Sequence, residues 1–546
     1  MQLRARVLTA VTSAVLLSAC GDFDDLKEDV AVTESAVNQT FAQHQAACQA
    51  DPRVQSGVVS LTECVGADIF MKENFNGNGR TCGTCHRVER NFAIDPTFIA
   101  RLPNSDPLFI AENTSDNLPL NGLEIPAQLR ARGLILENVD GTQPEGPTVR
   151  FVLRSVPHNL SQGTSVTRPS FEPNPPAEST GWSGDGAPSS GTNASGVPMT
   201  GRLADFTNGA INQHFTRSLN RVIGTDFRQA TEPEGQAVAT FMRQLGRTNE
   251  ISLNAVGFSD PEADAGRVRF MNSLCNTCHN NAGANDNGSN QNFLTGVEGV
   301  RNPALAGFPF DGGFGAFGGG PPFAIGNASF NTPPVIEAAD SGPFFHTDTQ
   351  VLNSNDPAQN TDSVQTIEQA VGFYNSSQFQ LGFTATEIRN VARFLRALNA
   401  VFNIQMASNR IIGARNMGNA LGNVARVDRM QRRLAQMTLF ELDDAVRVLS
   451  QGVVNLNPAQ ADRVRIARTR IETVVATSGT TATAFNIRMT NLANAFNDLD
   501  LADTEISANI TFNIANGTRM DCADPSTNTQ PGTAPCFNPA LRTPAP

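Results

Sequence analysis

Two pentapeptides of the form Cys-x-x-Cys-His, Cys82-Gly83-Thr84-Cys85-His86 and Cys275-Asn276-Thr277-Cys278-His279, constrain this chain more than any other feature. In each, the two thiols reach the two vinyl groups of one haem, and the adjacent imidazole falls beside the iron as its proximal ligand. The sequence therefore predicts two covalently bound haem c groups, attached through Cys82, Cys85, Cys275 and Cys278, with His86 and His279 as iron ligands. Zinc is the rival reading, because paired Cys-x-x-Cys with added His can surround that ion tetrahedrally. It fits less well, since His follows the second Cys directly both times and one zinc cannot easily use all three groups.

The N-terminus agrees with a protein that leaves the cytoplasm. Arg4 and Arg6 precede an apolar run from Val7 to Leu17 that is too short to span a bilayer and reads as a secretory segment. The run ends in Leu17-Ser18-Ala19-Cys20, similar to the lipobox of bacterial lipoproteins, whose Cys is acylated and becomes the mature N-terminus. Gly21 rather than Asp follows, which in that pattern implies delivery to the outer membrane. The acidic stretch from Asp22 to Asp29 then serves as a tether. An ordinary cleaved signal peptide is the alternative.

Of nine cysteines, Cys20 and the four pentapeptide thiols leave Cys48, Cys64, Cys522 and Cys536, an even number in an oxidising compartment. Closeness in sequence favours Cys48 with Cys64 and Cys522 with Cys536. A net charge of -12 argues against nucleic acid as a partner and suits a basic redox protein.

Periodicity predicts helices leading into each pentapeptide, Ala67 to Phe75 and Pro261 to Leu274, and further helices over Leu203 to Leu219, Pro233 to Leu245 and Thr386 to Asn399. Met271 reads as core rather than ligand. Thr384 and Glu387 form a candidate capping box. Apolar stripes at Val424, Val427, Met430, Leu434 and Met437, and at Val464, Ala467, Ile471, Val474 and Val475, predict further amphipathic helices. A Ser/Gly/Pro/Thr-rich loop occupies about Ser161 to Gly201. The expected fold class is mainly α, with two c-type cytochrome domains, extensive irregular loops and an appended C-terminal helical region. The corresponding divisions are a signal peptide (1–19), a tether with a disulfide (20–65), a haem 1 domain (66–250), a haem 2 domain (251–400), a helical extension (401–515) and a Pro/Thr-rich tail (516–546).

Gly266-Arg267 ahead of the second pentapeptide, Pro343-Phe344-Phe345-His346 and Ile367-Glu368-Gln369-Ala370-Val371 after it, and the closing Val391-Ala392-Arg393-Phe394-Leu395-Arg396-Ala397-Leu398 carry a resemblance. In the order of these elements, the chain resembles the bacterial di-haem cytochrome c peroxidase superfamily, which includes the methylamine dehydrogenase maturation enzyme MauG and the rubber oxygenases. The fold hosts several activities, so the resemblance does not select one.

It does imply roles for particular residues. Trp182, the only Trp, matches the tryptophan between the two haems, where an aromatic ring relays electrons. Tyr374, the only Tyr, falls seven residues past Ile367, where the peroxidases carry a methionine ligand and MauG a tyrosine; it is the candidate distal ligand of haem 2, with His346 as its rival. His158 and His214, the latter beside Gln213, are candidates for a distal acid–base role at haem 1. Each has a plain alternative as a loop or solvent-facing histidine, and His44 lies outside the matched region. The peroxidases place a Glu after the inter-haem Trp to move a proton between peroxide oxygens, whereas the comparable stretch here, Leu203 to His214, contains none. A more apolar pocket with Phe206 or Phe215 would suit dioxygen instead. The family often binds Ca2+ between its domains, and Asn159 with the carbonyls around Ser341 and Pro343 occupies roughly those places.

The resulting expectation is an outer-membrane, lipid-anchored di-haem oxidoreductase that reduces peroxide or activates dioxygen at haem 1. Haem 2 and a small redox protein would supply the electrons. A rubber-oxygenase-like dioxygenase and a non-catalytic electron-transfer cytochrome are the alternatives.

Overall fold

Two helices that cross at a glycine build the frame, and the chain builds this frame twice. The computed structural model describes residues 39–112, 123–138, 151–166, 178, 202–218, 220–283, 292–297, 310–313, 324–342, 344–345, 364, 366–376, 379–450, 458–514, 521–524 and 536–542. Among these the fold is mainly helical, as expected. Cys20, Trp182, His346, Pro343 and most of the loop from 161 to 201 lie outside the described residues.

The first half begins with α1 (Phe41–Ala50), α2 (Pro52–Gln55) and α3 (Leu61–Lys72), followed by the one-turn α4 (Cys82–Cys85). Short helices α5 (Pro96–Ile99) and α6 (Pro126–Arg132) lead into the antiparallel pair β1 (Leu134–Asn138) and β2 (Phe151–Ser155), in which Leu134 pairs with Ser155. After α7 (Gln162–Ser165) come α8 (Leu203–His214) and α9 (Glu232–Gln244). α9 starts at a Thr231–Glu234 capping box and packs its apolar face on α3. At the crossing, a Cβ on Gly66 would overlap the Ala237 carbonyl, so only glycine lets the two backbones approach this closely. Phe70, one turn further, meets Phe241 edge-on at 5.3 Å between ring centroids.

The second half repeats the device. β3 (Gly257–Phe258) precedes α10 (Pro261–Met271), which opens on an Asp260 cap with Pro at its first turn, and α11 (Cys275–Cys278) follows. A three-stranded sheet holds β4 (Asn292–Leu294), β5 (Phe310–Gly313) and β6 (Ala324–Asn331), with β6 central, antiparallel to β4 and parallel to β5. α12 (Ile367–Ser376) then leads to α13 (Ala385–Leu421), whose start is the expected Thr384–Glu387 capping box. Here a Cβ on Gly266 would overlap the Asn390 carbonyl of α13, and Phe270 packs on Phe394 at 5.6 Å. The Gly-x-x-x-Phe spacing is common to Gly66–Phe70 and Gly266–Phe270, a repeat that the sequence reading did not use.

α13 runs 37 residues and does not stop at Asn399. Ala400, Val401, Phe402, Ile404, Met406 and Ala407 are all buried, so this stretch has no polar face and no amphipathic signal from which to read a helix. α14 (Ala425–Ser450), α15 (Pro458–Ala476) and α16 (Ala482–Ile506) complete a four-helix arrangement: each packs on its sequence neighbour, and α16 returns to α13. The expected stripes Val427, Met430, Leu434, Met437 and Val464, Ala467, Ile471, Val474 are buried, while Val424 is exposed just before α14 begins. β7 (Ser507–Ala508) pairs with β3 and ties the end of the bundle to the second half. The helix expected to reach Leu219 ends at His214, where Phe215 caps it, and the two leading into the pentapeptides end at Lys72 and Met271. Met271 is half-buried against the core. No described helix is long and apolar enough to cross a membrane.

Both terminal disulfides form as sequence proximity suggests, Cys48 with Cys64 and Cys522 with Cys536. They are not separate staples. Buried Arg53 donates to Asp51, to Asp521 Oδ1 at 3.0 Å and to the Cys522 carbonyl at 2.7 Å, and the Asp524 and Ala523 amides return to Asp51 and Asp68. The two ends of the described chain are thus interlocked on the first half.

Candidate functional site

Both pentapeptides fold as a single helical turn closed by the histidine. His86 N donates to Cys82 O at 3.0 Å and His279 N to Cys275 O at 2.7 Å, so each imidazole leaves the turn in the same direction relative to its two thiols. The four thiols remain free while the other four described cysteines are paired. Burial pushes Cys82 up to about 12 and Cys85 up to about 11, and it also raises Cys275 and Cys278. All four are protonated thiols at neutral pH.

The imidazoles are held alike. His86 Nδ1 lies 2.8 Å from Phe92 O, and His279 Nδ1 lies 2.8 Å from Pro333 O. A carbonyl can only accept, so each Nδ1 carries the proton and the neutral ring has its lone pair on Nε2; His86 differs in having the Pro157 carbonyl nearby as well. Burial lowers His86 to about 4 and His279 to about 4, so both rings are neutral, the form that ligates iron. The donor set therefore fits covalently attached haem at both positions.

Around His86 the structure gathers charge. His214, at the end of α8, lies close enough to His86, Arg80, Arg154 and Arg221 to feel their charges; burial foremost, then Arg80 and Arg221, lowers it to about 3. His158, on the turn after β2, accepts from Leu160 N through Nδ1 at 3.2 Å and also depresses His86. In the neutral ring, that bond leaves the proton on Nε2. Gln213 is half-buried, with its Oε1 enclosed and without a hydrogen-bond partner. Thus His158, His214 and His86 come together. Arg80, Arg154 and Arg221, all buried, join them without having been singled out in the sequence. Their only sequence signal is arginine flanked by apolar or turn residues, and solvated arginines show the same pattern. Of the two phenylalanines expected there, Phe215 is buried against Phe75 at 6.0 Å and Phe206 is half-buried.

The second site is aromatic. Tyr374, on α12, lies beside Cys275, Cys278 and Thr295; burial above all holds its phenol in the neutral form. Phe345, Phe373 and Phe379 surround it, with ring centroids 5.9, 5.2 and 5.8 Å away. The structure therefore brings Tyr374 to the second pentapeptide. Of the residues weighed for Ca2+, Asn159 is buried with its Nδ2 unpartnered and Ser341 is half-buried. No cluster of three or more His, Cys, Asp or Glu able to hold a metal occurs among the described residues.

His44 has a structural place. Its Nδ1 is 2.8 Å from Asp68 Oδ2 and its Nε2 is 3.5 Å from Glu73 Oε2, all three fully buried, while Lys72 and Arg228 pair with the same carboxylates. Comparison of the chain with protein-family models, with curated proteins and with solved structures finds no match.

Proposed function

We propose that this protein is a di-haem c-type oxidoreductase in which the two centres do different work, as the resemblance to the di-haem peroxidase superfamily suggests. The observation that carries this reading is the repeated unit: a Cys-x-x-Cys-His turn whose histidine is neutral and fixed through Nδ1, set beside a glycine-centred helix crossing. Bound haem would supply one-electron chemistry at both centres and peroxide or dioxygen activation at the first. Cys82, Cys85 and His86 would hold haem 1; Cys275, Cys278 and His279 would hold haem 2, with Tyr374 or His346 opposite.

Proton handling belongs to the first centre. His214 and His158 stand near His86; an imidazole on the peroxide side of haem 1 would take a proton from one oxygen and return it to another, the role that Glu plays in the peroxidases. Buried Arg154 and Arg221 favour negative charge developing there, while Arg80 is already paired with buried Glu124 at 2.7 Å. Trp182 would relay electrons between centres, a small redox protein would supply them, and Ca2+ at Asn159 belongs to the same reading. Acylation at Cys20 would place the protein at the outer membrane.

Pyridine haemochrome quantitation and electron paramagnetic resonance of the ferric protein test the proposal. Two covalent haems, half of the iron high-spin, and peroxide-dependent oxidation of reduced cytochrome c are expected. Two low-spin centres in every redox state would leave an electron-transfer cytochrome. A stable ferrous–dioxygen complex with oxygen uptake on polyisoprene would favour the oxygenase.

A further inference from the structure

The C-terminal helices contribute no Cys or His, yet one of them reaches the turn that fixes His86. After the first pentapeptide the chain passes through Asn91 (φ 56°) and Phe92 (φ 59°), two consecutive non-glycine residues in the left-handed region. The left-handed region disfavours Phe strongly and Asn less, so the surrounding structure must hold the turn in place. Phe92 is held by its ring, buried against Phe241 at 6.2 Å. Asn91 is held by α14: its Nδ2 donates to Asp444 Oδ2 at 2.9 Å, across 353 residues of sequence, and both side chains are buried. Asp444 is itself fixed by Arg447 on its own helix. The carbonyl presented by this turn is Phe92 O, the acceptor of His86 Nδ1.

The second half has the same pair of left-handed residues after its histidine, Asn281 (φ 53°) and Ala282 (φ 63°). Its asparagine is held differently: Leu253 N donates to Asn281 Oδ1 at 2.9 Å, and the histidine's acceptor is the remote Pro333 O. A carboxylate from the appended bundle therefore supports the proximal turn of the first centre, while a backbone amide supports the corresponding turn of the second.

We propose that Asp444 is a positioning residue for His86, so that α14 sets the orientation and strength of the first iron's proximal ligand. The hydrogen bond made by a ligating histidine's other nitrogen fixes its ring orientation and basicity, and whatever anchors the accepting carbonyl shares that control. Movement of the Asn91–Phe92 turn would lengthen or tilt the Phe92 O contact and weaken the ligand. The inference rests on the haem reading.

The test uses the full-length, haem-loaded protein. Haem content is measured first, because wild-type protein without covalent haem would sink the functional reading itself. Resonance Raman then reports the ferrous iron–histidine stretching band, and spectroelectrochemistry reports both midpoint potentials. Asp444→Ala and Asn91→Ala should each lower that band at the first haem and shift its potential by about 59 mV, a tenfold change in the reduction equilibrium, leaving the second haem as in wild type. Asp444→Asn keeps an oxygen that can accept from Asn91 Nδ2 and should restore the band. Should Asp444→Ala fail to fold, Asn91→Ala, which leaves α14 untouched, decides alone. Unchanged bands and potentials in the alanine variants, equal shifts at both haems, or Asp444→Asn behaving like alanine would each overturn the assignment.

Discussion

The two halves share a skeleton and differ in what they pack around it. Each crosses two helices at a glycine, pairs phenylalanines beside the crossing and ties a histidine Nδ1 to a carbonyl at 2.8 Å. In the first half the surroundings are charged: buried arginines and histidines flank His86, and His44, Asp68 and Glu73 are sealed beneath. In the second, Tyr374 with its three phenylalanines stands beside Cys275 and Cys278, and Arg269 is the charged group felt by Cys275. The frame specifies where a cofactor attaches, and the packing around it specifies what that cofactor can do.

The most severe way to test this comparison is to delete one attachment at a time. Cys82→Ala with Cys85→Ala, and separately Cys275→Ala with Cys278→Ala, should each halve the covalent haem per chain measured as pyridine haemochrome. Only the first pair should abolish the high-spin signal. If either pair removed both haems, the halves would not be independent carriers.

Next in size are the helix crossings. Gly66→Val and Gly266→Val each push a side chain into a facing carbonyl, and thermal unfolding should show a loss of about 3 kcal/mol for either. A tolerated Gly266→Val would show that the second crossing is not the close approach described.

A smaller effect separates the halves by pH. Burial alone would lower His44, but Asp68 and Glu73 outweigh it, and its pKa stands above the ordinary 6.5. Its contribution is therefore complete below pH 6.5 and is lost as pH rises through the folded value. The melting temperature should fall across that window, and His44→Gln should flatten the dependence. An unaltered pH profile in the variant would place the titration elsewhere.

Tyr374→Phe is the mildest change. It removes one oxygen beside Cys275 and Cys278, and should alter the electron paramagnetic resonance signal of the second centre alone. An unchanged signal would leave His346 as the ligand.

Much of this was legible in the sequence, for physical reasons that can be named. The pentapeptides, the Thr384–Glu387 cap and the two disulfides are local patterns, in which the partners lie within a few or a few tens of residues. Tyr374 became visible only through the family resemblance, since an isolated tyrosine carries no address. Asn91 with Asp444 and His214 with Arg80 escaped, because such pairs depend on how distant helices pack, which periodicity does not encode. The continuation of α13 escaped for the opposite reason: from Ala400 to Ala407 every residue but half-buried Gln405 is buried, which erased the stripe where the helix continues.

The interlock of Asp51 and Arg53 with Asp521, Cys522 and Asp524 bears on mechanics. If the N-terminus is anchored as proposed, external load enters where α1 begins, and α1 is clipped to α3 by Cys48–Cys64. Load applied between α1 and the 521–524 segment would fall on this short buried contact before reaching either helix crossing. The pentapeptides would then sit downstream of a shackle, and tension at the anchor would leave their geometry undisturbed.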